Sequence, residues 1–171
     1  MALDQYSTHV PVVAAVMLMA PAGDVLELGA GGYSTPILHV MCKMQSRKLV
    51  TIESNEVWLG SLSGYASELH TMVHAREPAN HPAIKSRRWA VAFVDNGKDE
   101  RKPCLDILVD NCDILIVHDT EPAQAKLYNY EPFLSQRFKS RVDLVTRPWI
   151  NCHTSVLSNT ISLDVLRTVF K

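Results

Sequence analysis

Short runs of consecutive apolar residues alternate along this chain with longer segments whose apolar side chains recur every three or four positions. Residues 24–28 (DVLEL), 48–52, 90–94 (AVAFV) and 114–117 (ILIV) have strand length. Unbroken apolar strands imply burial on both faces, the habit of parallel sheets covered by helices. Residues 34–44 place Ile37, Val40, Met41 and Met44 at i, i+3, i+4 and i+7, one face of a helix. Thr35 can cap its start, and Pro36 suits the first turn, where a missing N–H costs nothing. Further helices are expected over residues 8–19, over 55–69 (weakened by Gly60 and Gly64), around Leu105, Leu108, Val109 and Cys112, and over 131–138. A third strand is expected at 71–75, a loop at 77–85, and two closing strands at 141–146 and 154–157. Strands alternating with helices predict βαβ units. The fold class is α/β, a doubly wound, seven-stranded, mostly parallel sheet with helices on both faces.

Composition narrows the picture. The chain has 171 residues, fitting one domain over 1–171, with 17 basic against 18 acidic residues and a net charge of −1. That balance argues against a strongly basic nucleic-acid binder. The longest apolar stretch, residues 10–21, is interrupted by Pro11 and falls short of the roughly 20 residues of a spanning helix. No basic leader precedes it. A cytoplasmic protein with no membrane or nucleic-acid partner is the expectation. Cysteines 42, 104, 112 and 152 form no zinc-knuckle or redox spacing, so reduced thiols are expected.

Ligands of such sheets sit beyond the carboxyl ends of the strands. The polar residues expected there are Glu27, the turn Gly29-Ala30-Gly31-Gly32, Glu53, Asp95 and Asp119. A glycine turn from strand to helix lets a ligand approach the backbone and offers it helix N–H groups. Glu53, ending the second strand, can accept the hydroxyls of a ribose. A carboxylate at Glu27, two residues before the first glycine, would repel a pyrophosphate but welcome a cationic amino-acid group. Ser34 also stands where a dinucleotide fingerprint wants a third small residue. Asp95 and Asp119 would end neighbouring strands about 4.8 Å apart, so one must be protonated or a cation must lie between them. A hard divalent cation could fill that place, with Glu121 or His118 as further donors. The alternative is that these acids cap helices or bind loop N–H groups.

The segment VLELGAGGYSTPIL (residues 25–38) resembles motif I of class I S-adenosylmethionine-dependent methyltransferases, matching at Glu27, Gly29 and Gly31. Tyr33 replaces the usual last glycine, as in a subgroup with a Gly-Tyr-Ser-Thr turn. WAVAFVDNG and DILIVHDTE resemble the fourth and fifth strands of small members whose fifth strand ends in His-Asp-Thr. The resemblance implies a Rossmann-like fold of methyltransferase type and an S-adenosylmethionine site at Glu27, Gly29, Ala30, Gly31, Gly32, Tyr33, Ser34, Glu53, Ser54 and Asp95. It implies methyl transfer to an oxygen or nitrogen nucleophile of a small molecule. By similarity to magnesium-dependent O-methyltransferases, Asp95 and Asp119 would hold Mg²⁺ or another divalent cation, and Lys98 would be the general base, giving Asp95, Lys98 and Asp119 as catalytic residues. Thr120 stands where that group has asparagine, and His74-Ala75-Arg76-Glu77 lacks the group's adenine-holding sequence. The expected partner is the small-molecule substrate, with a homodimer left open. A nonenzymatic binding module on the same frame is the second reading. An NAD-dependent oxidoreductase is third, disfavoured by Glu27 and Ser34.

Overall fold

A computed structural model describes residues 5–171 except 132 and 148. Its seven strands are β1 (Val25–Leu28), β2 (Leu49–Glu53), β3 (His70–His74), β4 (Trp89–Val94), β5 (Cys112–His118), β6 (Ser140–Leu144) and β7 (Thr154–Ser158). The helices are α1 (Val10–Met19), α2 (Ser34–Met44), α3 (Glu56–Ser61), α4 (Pro82–Lys85), α5 (Lys98–Asn111), α6 (Pro122–Leu127), α7 (Phe133–Gln136) and α8 (Asp164–Val169).

The strands form one sheet in the order β3-β2-β1-β4-β5-β7-β6, with β7 antiparallel to both neighbours and the other adjacent pairs parallel. Side chains alternate between two apolar layers, as a pleated strand requires. Leu26, Leu28, Ala92, Val94, Leu115 and Val117 pack towards α4–α7. Val25, Leu49, Val91, Phe93, Ile114 and Ile116 pack towards α1, α2 and α8. The order of winding, outward through β2 and β3 on one side and through β4 and β5 on the other, reverses between the parallel strands β1 and β4, which opens a crevice at their carboxyl ends.

Two segments depart from the sequence pattern. The helix expected over 55–69 ends after α3 and a single 3-10 turn, Ser63–Tyr65. Asn55 caps its start, its Oδ1 accepting the Trp58 N–H at 3.0 Å, but Gly60 and Gly64 interrupt the segment at the cost in helix stability that glycine carries. Residues 77–85 form a 3-10 turn and α4 where a loop is expected, because His81 Nδ1 accepts the Ala83 N–H at 3.2 Å and Pro82 starts the turn. Of the helix expected over 131–138, α7 is present and residue 132 lies outside the described residues. Among the described residues no helix is long and apolar enough to cross a membrane. All four cysteines are free thiols.

Candidate functional site

The glycine turn is built around two carboxylates. Glu27, fully buried, points from β1 towards α2. Both its oxygens lie 3.0 Å from the Thr35 hydroxyl in the first turn of α2, and the Thr51 hydroxyl donates to Oε2 at 2.6 Å. Burial, only partly opposed by the Thr51, Ser34 and Thr35 hydroxyls, pushes its pKa up to about 7. Thr35 Oγ1 in turn accepts the Gly31 N–H at 3.0 Å. Glu53 accepts the N–H of Ala30 at 2.8 Å and of Asn55 at 2.7 Å. Trp58 of α3 donates its indole N–H to the Ala30 carbonyl at 2.6 Å, laying a large ring beside the turn.

Gly29 has φ +88°, and a Cβ there would stand 2.4 Å from the carbonyl oxygen of Asp95. Only glycine allows β1 and β4 to end so close together. Gly32 is different: a Cβ there would meet nothing within 4 Å.

Beyond this turn opens a cavity of about 960 Å³. Gly31, Gly32, Tyr33 and Trp58 line it together with Asp95, Arg101, His118, Asp119 and His9. Trp149 and Cys152, from the segment preceding β7, also face it. Its size falls in the range of sites for small ligands, roughly 300–1,000 Å³.

Asp95 and Asp119 stand together here, and the cation between them is a side chain. Nη2 of Arg101, from the first turns of α5, lies 2.8 Å from Asp95 Oδ1 and 3.1 Å from Asp119 Oδ2. Its Nη1 donates to the His118 carbonyl and the Tyr130 hydroxyl, each at 3.0 Å, and its Nε to the Asn96 carbonyl. The guanidinium also lies 4.4 Å from the centre of the Tyr128 ring. Burial opposes its charge, but Asp95 and Asp119 with Tyr130 hold its pKa above the usual value. A hard ion such as Mg²⁺ wants a shell of oxygens. Bridging these carboxylates does not fit while a guanidinium fills the gap.

His118 completes the cluster. Its Nδ1 lies 3.4 Å from Asp95 Oδ1 and 3.3 Å from Asp119 Oδ1; its Nε2 lies 3.0 Å from Thr8 Oγ1 and 3.2 Å from Cys152 Sγ. Burial alone would lower its pKa, yet Asp95 and Cys152, with Asp119, push it up to about 10. Asp95 is held below the usual carboxylate range: burial opposes this, and His118 and Arg101 outweigh it. Asp119 adopts φ +56°, a left-handed conformation uncommon outside glycine. Such conformations gather at functional sites.

His9, from the residue before α1, is 3% exposed, and its ring meets that of His118 edge-on at 4.7 Å. Burial and the His118 charge push its pKa down to about 4, so it is neutral near pH 7. Among the described residues neither ring nitrogen has a hydrogen-bond partner.

The structure thus brings Gly31, Gly32, Tyr33, Asp95 and Asp119 to the lining of one cavity. Gly29 and Ala30 in the turn, Ser34 at the start of α2, and Glu27, Glu53 and Ser54 are not among the lining residues. Lys98 is exposed at the start of α5 and is likewise outside the lining. Arg101, His9 and Cys152 were missed by sequence reasoning. Arg101 sits in the run KDERK, which reads as a solvated helix start.

These features define a Rossmann-like fold of methyltransferase type with a crevice at its topological switch point. The chain matches no protein-family model and no curated protein by sequence. It is similar in structure to the O-methyltransferase from Bacillus cereus in complex with SAH, with TM-score 0.68 and 13% identity over 92% of this chain and 84% of that one. Cofactor-bound Rv0187 from MTB aligns with TM-score 0.64 and 15% identity over 94% and 85%. The CurJ carbon methyltransferase aligns with TM-score 0.61 and 14% identity over 91% and 54%. At these identities the likeness is one of fold.

Proposed function

We propose that this chain is an S-adenosylmethionine-dependent methyltransferase acting on an oxygen or nitrogen nucleophile of a small molecule. The observation that carries the reading is the cavity at the switch point, lined by both Gly32, whose Cα is open to it, and Asp95, at the carboxyl ends of β1 and β4. The glycine turn would receive the donor, and Asp95 its cationic amino group. Glu53 retains lone pairs beyond its two backbone bonds and would accept ribose hydroxyls. Glu27, sealed beneath α2, would act by holding the turn through Thr35. SAH bound to a protein of the same fold supports this assignment.

The sulfonium donor is already activated, so the chain's own residues need only place the acceptor in line, exclude water and take a proton. Lys98 lies away from the cavity, whereas the unpaired ring of His9 faces it.

Calorimetric titration with S-adenosylhomocysteine tests the reading. One site per chain, weakened by Gly32→Leu without change in melting temperature, is expected. No binding of either S-adenosylhomocysteine or S-adenosylmethionine overturns it. Methyl transfer to a panel of hydroxyl and amine acceptors then separates an enzyme from a binding module.

A further inference from the structure

We propose that Thr51, His70 and His39 form a reversible proton path between solvent and Glu27, the buried acid beneath the glycine turn. The path rests on these side chains alone and does not depend on methyl transfer.

Strand register builds it. Glu27 of β1 pairs with Thr51 of β2, so their side chains lie on the same face of the sheet. The Thr51 hydroxyl lies 2.6 Å from Glu27 Oε2 and 2.8 Å from Nε2 of His70, the first residue of β3. His70 Nδ1 in turn lies 3.2 Å from Nδ1 of His39, on α2. Glu27 is fully buried and His70 is 2% exposed, whereas His39 is partly exposed and meets the Tyr65 ring edge-on at 5.5 Å. The chain therefore runs inward from solvent to the acid.

Proton counting fixes its two directions. A hydroxyl has one proton to donate, and a neutral imidazole has one N–H and one bare nitrogen. Burial and the neighbouring His39 push the His70 pKa down to about 4, so near pH 7 its ring is neutral. With Glu27 ionised, Thr51 donates to it, His70 Nε2–H donates to Thr51, and His39 Nδ1–H donates to His70. With Glu27 protonated, each of these bonds points the other way and none is lost. Passage between the two states balances. A proton from solvent joins His39 Nε2 while three others shift along, from His39 Nδ1 to His70 Nδ1, from His70 Nε2 to Thr51, and from Thr51 to Glu27. All four groups end neutral.

Burial, which pushes the Glu27 pKa up to about 7, lets both directions be populated near neutrality. The Ser34 and Thr35 hydroxyls of α2 and the charge of Asp95, just past β4, also act on Glu27. The Cys42 thiol of α2 stays neutral, its pKa pushed up to about 12 by burial, and the Tyr65 main chain also bonds His70. Because Thr35 joins Glu27 to the Gly31 N–H, the path brings the pH of the solvent to the glycine turn.

Nitrogen NMR of the full wild-type chain tests the path, since protonated and bare ring nitrogens give distinct signals. As pH falls from 8.5 to 5.5, the His70 proton is expected to move from Nε2 to Nδ1, with the same midpoint as the Glu27 carboxyl carbon. In Glu27→Gln the amide oxygen can keep Thr35 while its N–H turns to Thr51. His70 should then hold its proton on Nδ1 at both ends of the range. Thr51→Val removes the link, so His70 should keep a single tautomer throughout. A wild-type His70 that keeps one tautomer, or takes up a second proton over that range, overturns the proposal. So does a tautomer change that survives intact in Thr51→Val.

Discussion

The main-chain N–H of Ala30 donates to Glu53 Oε2 at 2.8 Å, tying the glycine turn after β1 to the last residue of β2. The other oxygen holds Asn55, which caps α3. One carboxylate thus fixes the turn and the helix that carries Trp58. Glu53→Ala strands two N–H groups at a site only 8% exposed, and is expected to cost about 1–3 kcal/mol. Glu53→Gln keeps one acceptor and should lose less. Urea unfolding checks the order; an unchanged midpoint in Glu53→Ala contradicts the tie.

Gly29 and Gly32 look alike in the sequence but should respond differently to alanine. At Gly29 the new Cβ would lie 2.4 Å from Asp95 oxygen, at φ +88°. Gly29→Ala is expected to lose several times the 0.5 kcal/mol or so typical of a surface change. It therefore probes the fold rather than ligand binding. Gly32→Ala meets open space and should leave the unfolding midpoint within that small range. Equal destabilisation of the two variants would contradict the geometry of the turn.

Much of the frame was legible because its signals are local. The runs AVAFV and ILIV announce β4 and β5, and the spacing of Ile37, Val40, Met41 and Met44 marks the extent of α2 but not its buried face, which Leu38 and Cys42 supply while Val40 and Met44 are exposed. The acids at the strand ends followed from the same pattern. What could not be read were partners set by tertiary packing. Thr8 meets His118 across 110 residues, and Cys152 meets His118 across 34. Sequence chemistry did require either a proton on one of Asp95 and Asp119 or a cation between them, but a metal and an arginine six residues past Asp95 supply such a cation equally well on paper. Only the packing of α5 against Tyr128 and Tyr130 shows the guanidinium there.

Glu27 gives the fold a pH dependence. Its pKa is 4.5 ordinarily and about 7 when folded, so between these values the native state holds more protons than the unfolded one. Stability should therefore fall as pH rises from about 4.5 to 7, and stay at the lower level above 7. At full burial the penalty approaches about 3 kcal/mol. Glu27→Gln removes the titrating group and should flatten that part of the profile. Urea unfolding of both proteins at pH 5 and pH 8 provides the comparison. A wild-type loss that persists undiminished in Glu27→Gln assigns the slope to another group.

Arg101 should be among the residues least tolerant of replacement outside the apolar core. It is 5% exposed and lies 2.8 Å from Asp95 and 3.1 Å from Asp119, so Arg101→Met removes the one side-chain charge that bridges them. Breaking a buried pair on one side costs about 3–5 kcal/mol, because the remaining charge is left uncompensated. Without the guanidinium, which helps hold Asp95 below the usual carboxylate range, Asp95 is expected to take up a proton at higher pH than before. The deficit should then be larger at pH 8 than at pH 5, where protonation relieves the repulsion. Arg101→Lys restores the charge but not the planar fork that reaches both acids and the His118 carbonyl, so it should recover only part of the loss. Unfolding midpoints for the two variants at both pH values decide the matter, and a deficit equal at pH 5 and pH 8 would show that Arg101 stabilises by packing on Tyr128 rather than by charge.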